Sequence, residues 1–142
     1  SIGIEIVNPG HEWGYRPFSA LQMAAVCDLC LDILARHPIP ARNVVAHSDV
    51  APDRKQDPGE LFDWEGLARN GVGLWPGQDP PAPPEDETLA LLGAIGYRTD
   101  LPLSVLVTAF QRHWLPPRTD GIADAATRAR IAAVAALCAG SE

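Results

Sequence analysis

What most limits the folds open to this chain is a ten-residue stretch, Trp75-Pro76-Gly77-Gln78-Asp79-Pro80-Pro81-Ala82-Pro83-Pro84, in which five positions are proline. Proline has no amide hydrogen and a fixed φ, so neither a helix nor a central strand passes through such a run. It reads as a linker at 75–84. The 142 residues then divide into a unit at 1–74 and a unit at 85–142, each small enough to have little buried area to spare.

The two units have different hydrophobic periods. Ile2, Ile4 and Ile6 alternate with Gly3, Glu5 and Val7, the two-residue period of a strand, with Glu5 projecting from the face opposite the isoleucines. Asn43-Val44-Val45-Ala46 is a second, buried strand candidate. Between them Ser19 and Gln22 have capping-box spacing and Phe18 can staple against Met23, which predicts a helix from there to about 35, stopped by His37-Pro38-Ile39-Pro40. Strand, helix, strand implies a parallel pair with a right-handed crossover. The first unit is thus expected to be α/β, a mixed sheet flanked by helices, with a short helix from 63 to about 71. Beyond the linker, helical patterns at 88–95, 103–114 and 125–137 predict a small all-α unit of three helices. Its stripes are Leu103, Val107, Phe110 and Trp114, then Thr127, Ile131, Val134 and Cys138.

Several function classes are excluded at this level. Acidic residues number 18 against 11 basic, for a net charge of -7, which leaves no positive surface for nucleic acid. No apolar stretch reaches the roughly 20 residues of a transmembrane helix. Cys27 and Cys30 form a C-x-x-C, but they share a helical stripe with Met23, Val26, Ile33 and Leu34. A redox pair would open a helix, so we read these thiols as core.

Chemistry concentrates in Val45-Ala46-His47-Ser48-Asp49-Val50-Ala51-Pro52-Asp53-Arg54-Lys55-Gln56-Asp57-Pro58-Gly59. His47 stands where a buried strand is expected to end, the place from which open α/β sheets present functional groups. If the later stretch is extended, Lys55 and Asp57 project to one side. An imidazole and a carboxylate suit zinc. Spacing alone favours a strand-capping histidine and an aspartate paired with Arg54 or Lys55, and is not a metal motif by itself. The loop at 8–17, with His11, Trp13 and Tyr15, serves as a cleft rim or as packing.

Taken in order, Ser1-Ile2-Gly3-Ile4-Glu5, Asn8-Pro9-Gly10, His47-Ser48-Asp49-Val50-Ala51-Pro52, Lys55 and Asp57-Pro58-Gly59 resemble the zinc-dependent N-acetylmuramoyl-L-alanine amidases of the AmpD/AmiD type, over residues 1 to about 70. Phe110-Gln111, Asp120-Gly121-Ile122-Ala123-Asp124 and Thr127 resemble the three-helix peptidoglycan-binding domain often fused to such enzymes. The resemblance implies that His47 and Asp57 bind Zn2+, that Glu5 handles the proton, and that Lys55 faces the reacting carbonyl. It implies a substrate, peptidoglycan or a muropeptide, cut between N-acetylmuramic acid and L-alanine, with Asn8, Trp13 and Tyr15 on the substrate side. It also requires a third ligand, a histidine upstream of the opening strand; His11 does not match that position. The isoleucine face needs neighbours that 74 residues are too few to supply. An upstream fragment of the same polypeptide is therefore expected to dock and bring that ligand. The wall-binding resemblance favours a cell-envelope, periplasmic location, with a cytoplasmic one as the alternative. The alternative is a non-catalytic peptidoglycan-binding protein, since two ligands hold zinc poorly.

Overall fold

The computed structural model describes residues 1–140. Its helices are α1 (Gly10–Trp13), α2 (Ala20–Arg36), α3 (His47–Val50), α4 (Trp64–Arg69), α5 (Thr88–Ile95), α6 (Leu103–Trp114) and α7 (Ala125–Gly140). Among the described residues no strand forms, which overturns the expected mixed sheet and its parallel crossover pair. Alternation marks which side chains share a face, whereas a strand exists only when a second one completes its hydrogen-bond ladder. Neither candidate finds that second strand. Residues 1–7 take no regular structure, Ile2 and Ile4 stay 52% and 36% exposed, and of the three isoleucines Ile6 alone packs against the core. In the second candidate, a 3-10 turn at Ala41–Asn43 is followed by extended but unladdered backbone at Val44.

Helix ends follow local chemistry closely. Ser19 caps α2 by accepting the Gln22 N–H at 3.1 Å. The box does not close, because the Gln22 side chain instead donates to the Val7 carbonyl at 2.6 Å and ties the first segment to the helix. Asp63 caps α4 through the Gly66 N–H at 2.9 Å. Gly96, at φ 126°, ends α5 in a conformation that side-chain-bearing residues avoid.

Two apolar clusters result. One gathers Val26, Ala46, Phe62, Trp64, Leu67 and Val72, with Cys27 and Cys30 packed against it; the other is built on Leu92, Leu106, Val107, Phe110, Ile131 and Val134, with Cys138 inside it. Among the described residues the three cysteines form no disulfide and serve as packing. Trp75 touches both clusters. It lies against the Trp114 ring at 5.8 Å, with the Arg130 guanidinium 5.6 Å from its own ring. The proline-rich stretch therefore begins as a packed joint, and Arg42 reinforces the junction by donating to the carbonyls of Ala94, Ile95 and Cys138. No described helix is long and apolar enough to cross a membrane.

In the second cluster, Gln111 is fully buried on α6. Its amide donates to Asp120 Oδ1, the Ile122 carbonyl and Thr127 Oγ1, and its oxygen accepts from the Asp120 and Gly121 amides. The motif spread over residues 110–127 is thus one hydrogen-bond hub pinning the turn between α6 and α7.

Candidate functional site

Ala46, Ser48 and Ala51 are 4%, 1% and 1% exposed, so the turn carrying His47 is anchored by its neighbours while the imidazole is left outside. The Ser48 N–H donates to the Asp57 carbonyl at 3.1 Å, joining the two site segments through backbone. The Arg54 and Lys55 amides both fold back to the Ala51 carbonyl, closing a turn just before 55–57, and a second turn begins at Asp57. The Asp57–Pro58 peptide is cis.

These supports bring His47 Nδ1 to 3.1 Å from Asp57 Oδ2, with side chains 51% and 64% exposed. An exposed pair of this kind contributes little to stability, about 0–1 kcal/mol. Its spacing matters more. With ligand bonds near 2.0–2.1 Å, the donors of a tetrahedral zinc site stand about 3.3 Å apart. The two atoms thus sit at the separation they would need on one ion, with a proton now shared between them. They fit as part of a zinc site, although no group of three or more His, Cys, Asp or Glu side chains is placed to hold a metal among the described residues.

Glu5 and Lys55 are both exposed, and neither forms a side-chain hydrogen bond or ion pair with His47 or Asp57 among the described residues. Asn8 is internally engaged: it donates to the Arg16 carbonyl at 2.8 Å and accepts the Gly10 N–H at 3.0 Å. Tyr15 is a strut, its hydroxyl donating to the Pro58 carbonyl and accepting the Leu61 N–H, both at 2.8 Å. Burial pushes its pKa up, against the Leu61 hydrogen bond. His11 stacks on Tyr15 with centroids 4.1 Å apart and donates to Glu60 at 2.9 Å, so it braces the loop after Asp57. Trp13, by contrast, is 77% exposed and free to meet a ligand.

Two groups went unnoticed in sequence. Asp49, beside the site, accepts from the Ala46 amide at 2.9 Å, from Tyr97 at 2.5 Å and from His113 Nδ1 at 2.6 Å. His113, 2% exposed, lies between the Trp64 and Trp114 rings at 3.9 and 4.0 Å. The one hint in sequence was a histidine beside Trp114 in the last turn of α6, next to its apolar stripe.

Residues 1–60 match the family model described as N-acetylmuramoyl-L-alanine amidase. The chain is 39% identical to the N-acetylmuramoyl-L-alanine amidase AmiD of Escherichia coli K12, over 91% of this chain and 54% of that protein. It is 42% identical to the 1,6-anhydro-N-acetylmuramyl-L-alanine amidase AmpD of the same organism, over 45% of this chain and 33% of that one. Among solved structures it superposes on E. coli AmiD in complex with the substrate anhydro-N-acetylmuramic acid-L-Ala-D-gamma-Glu-L-Lys with a TM-score of 0.78 at 37% identity, covering 92% of this chain and 56% of that one. For AmpDh3 of Pseudomonas aeruginosa the TM-score is 0.77 at 31% identity, over 86% of this chain and 55% of that one. The chain thus spans about half the length of AmiD.

Proposed function

We propose, from the match of residues 1–60 to the family model described as N-acetylmuramoyl-L-alanine amidase, that this chain is part of a zinc-dependent hydrolase cutting the amide between N-acetylmuramic acid and L-alanine in peptidoglycan or muropeptides. One observation carries the reading: His47 Nδ1 and Asp57 Oδ2, both facing solvent from an anchored backbone, converge to 3.1 Å in a segment similar to amidases. His47 and Asp57 would hold Zn2+, and by the family resemblance the third ligand would be a histidine on an upstream segment of the same polypeptide. When bound, zinc supplies Lewis acidity, lowering the pKa of water toward neutrality and polarising a carbonyl.

The chain's own groups do the remaining work. Glu5 accepts the proton of the attacking water and returns it to the leaving amine of L-alanine. Lys55, an ammonium with no ion-pair partner among the described residues, stabilises the negative charge that grows on the carbonyl oxygen. Trp13 offers its exposed ring to the substrate. The helical unit at 85–142 binds the wall, a role supported by its motif resemblance, and that role places the protein in the cell envelope on the periplasmic side.

The test is release of a free alanyl amine from an N-acetylmuramoyl-L-alanyl peptide. Turnover should stop on chelation, return with zinc, and fail in His47→Ala and Asp57→Ala; undiminished turnover in both variants rejects the assignment. The two-donor count also favours a second reading, a peptidoglycan-binding protein without catalysis. Retention on insoluble peptidoglycan with no amine released under any zinc concentration would select it.

A further inference from the structure

We propose that His113 and Tyr97, on the helical unit, are positioning residues for the His47–Asp57 pair, acting through Asp49. The proposal rests on reading that pair as the zinc site. Asp49 lies in α3, the single helical turn that also carries His47. Its side chain is 9% exposed, and carboxylate oxygens so buried call for hydrogen-bond donors around them. It has three: the Ala46 amide and His113 Nδ1 on Oδ2, and the Tyr97 hydroxyl on Oδ1. Two of these donors belong to the helical unit.

The donors are themselves fixed. Stacking between Trp64 and Trp114 holds the His113 ring in one plane with Nδ1 aimed at Asp49. Tyr97 keeps its proton, because full burial and then the Asp49 charge raise its pKa well above 10. An apolar contact would glue two units together equally well but would leave the turn free to slide. Three donors converging on two oxygens set both its place and its orientation. Since the Ser48 amide holds the Asp57 carbonyl, the same clamp sets His47 relative to Asp57. A helical unit that looks like a tethered wall-binding accessory is, on this geometry, part of the scaffold of the site.

The experiment uses the full chain with 15N-labelled histidine, comparing wild type with His113→Asn, His113→Leu and Tyr97→Phe. Asparagine can set an amide donor where Nδ1 stands; leucine cannot. The ring-nitrogen signals of His47 report its hydrogen bond to Asp57 without zinc, and titration with zinc chloride then reads the affinity of that ring for the metal. In His113→Leu the His47 Nδ1 signal should move to that of a solvated imidazole and zinc affinity should fall at least tenfold, with His113→Asn restoring both. An unmoved His47 signal and zinc affinity within twofold in folded His113→Leu overturn the proposal. If leucine prevents folding, Tyr97→Phe decides, with about a threefold loss expected and no change refuting it. Failure of the amidase reading would look different: zinc that never perturbs the His47 ring, while the ring still responds to position 113.

Discussion

Replacing Gln111 with leucine should destabilise the chain by about 3 kcal/mol. Leucine is the apolar side chain nearest in shape, so the change removes hydrogen bonds without opening much of a cavity. Five contacts are lost, with donor–acceptor distances of 2.8–3.2 Å. Asp120 and Ile122 are exposed, so water replaces the partners of the Asp120 carboxylate and the Ile122 carbonyl. The Gly121 and Asp120 amides are less easily served, whereas the Thr127 hydroxyl keeps its hydrogen bond to Asp124, and donors left unpaired cost about 1–3 kcal/mol each when buried. Taking about 2 kcal/mol for each of the two amides and subtracting about 1 kcal/mol for the added apolar burial leaves the 3 kcal/mol. At about 3–4 °C per kcal/mol for a chain of this size, Tm falls by about 10 °C. Circular dichroism at 222 nm during thermal unfolding measures it. A leucine variant melting within about 1 °C of wild type would refute the view that this motif is a structural hub. Gln111→Glu should be at least as damaging, since it keeps the acceptors for the two amides but turns a second carboxylate toward Asp120.

The loop after Asp57 and the pH dependence supply two further tests. Gly59 is at φ 85°, and a Cβ there would lie 2.5 Å from the Tyr15 hydroxyl and 2.7 Å from His11 Cε1; Gly59→Ala should cost about 1–3 kcal/mol in urea unfolding, and a loss under about 0.5 kcal/mol would show that the loop yields. For Glu60, burial pushes the pKa up but is outweighed by the hydrogen bond from His11, its own backbone amide, and the charges of His11 and Arg112, so the carboxyl ends below its ordinary value. A carboxyl depressed on folding contributes stability above its unfolded pKa of about 4.3 and loses it as pH falls through the folded value. The Tm gap between wild type and Glu60→Gln should therefore be full at about pH 5.5 and shrink toward about pH 3; a gap constant between those two values would contradict the ion-pair account.

Read residue by residue, the chain announced whatever depends on near neighbours. Ser19 and Asp63 began helices and Gly96 ended one, because capping and left-handed backbone are settled within a few residues. The 103–114 stripe was legible for the same reason, and its Val107, Phe110 and Trp114 are buried. That His47 and Asp57 meet was signalled through motif order rather than spacing. What the tertiary structure alone decided is non-local. The isoleucine alternation could not say whether a second strand lies alongside, and none does among the described residues. Asp49 read as an ordinary motif carboxylate until Tyr97 and His113, 48 and 64 residues away, were folded onto it. A hydrogen bond between distant residues leaves no periodicity behind it, and so it becomes visible only once the chain has closed on itself.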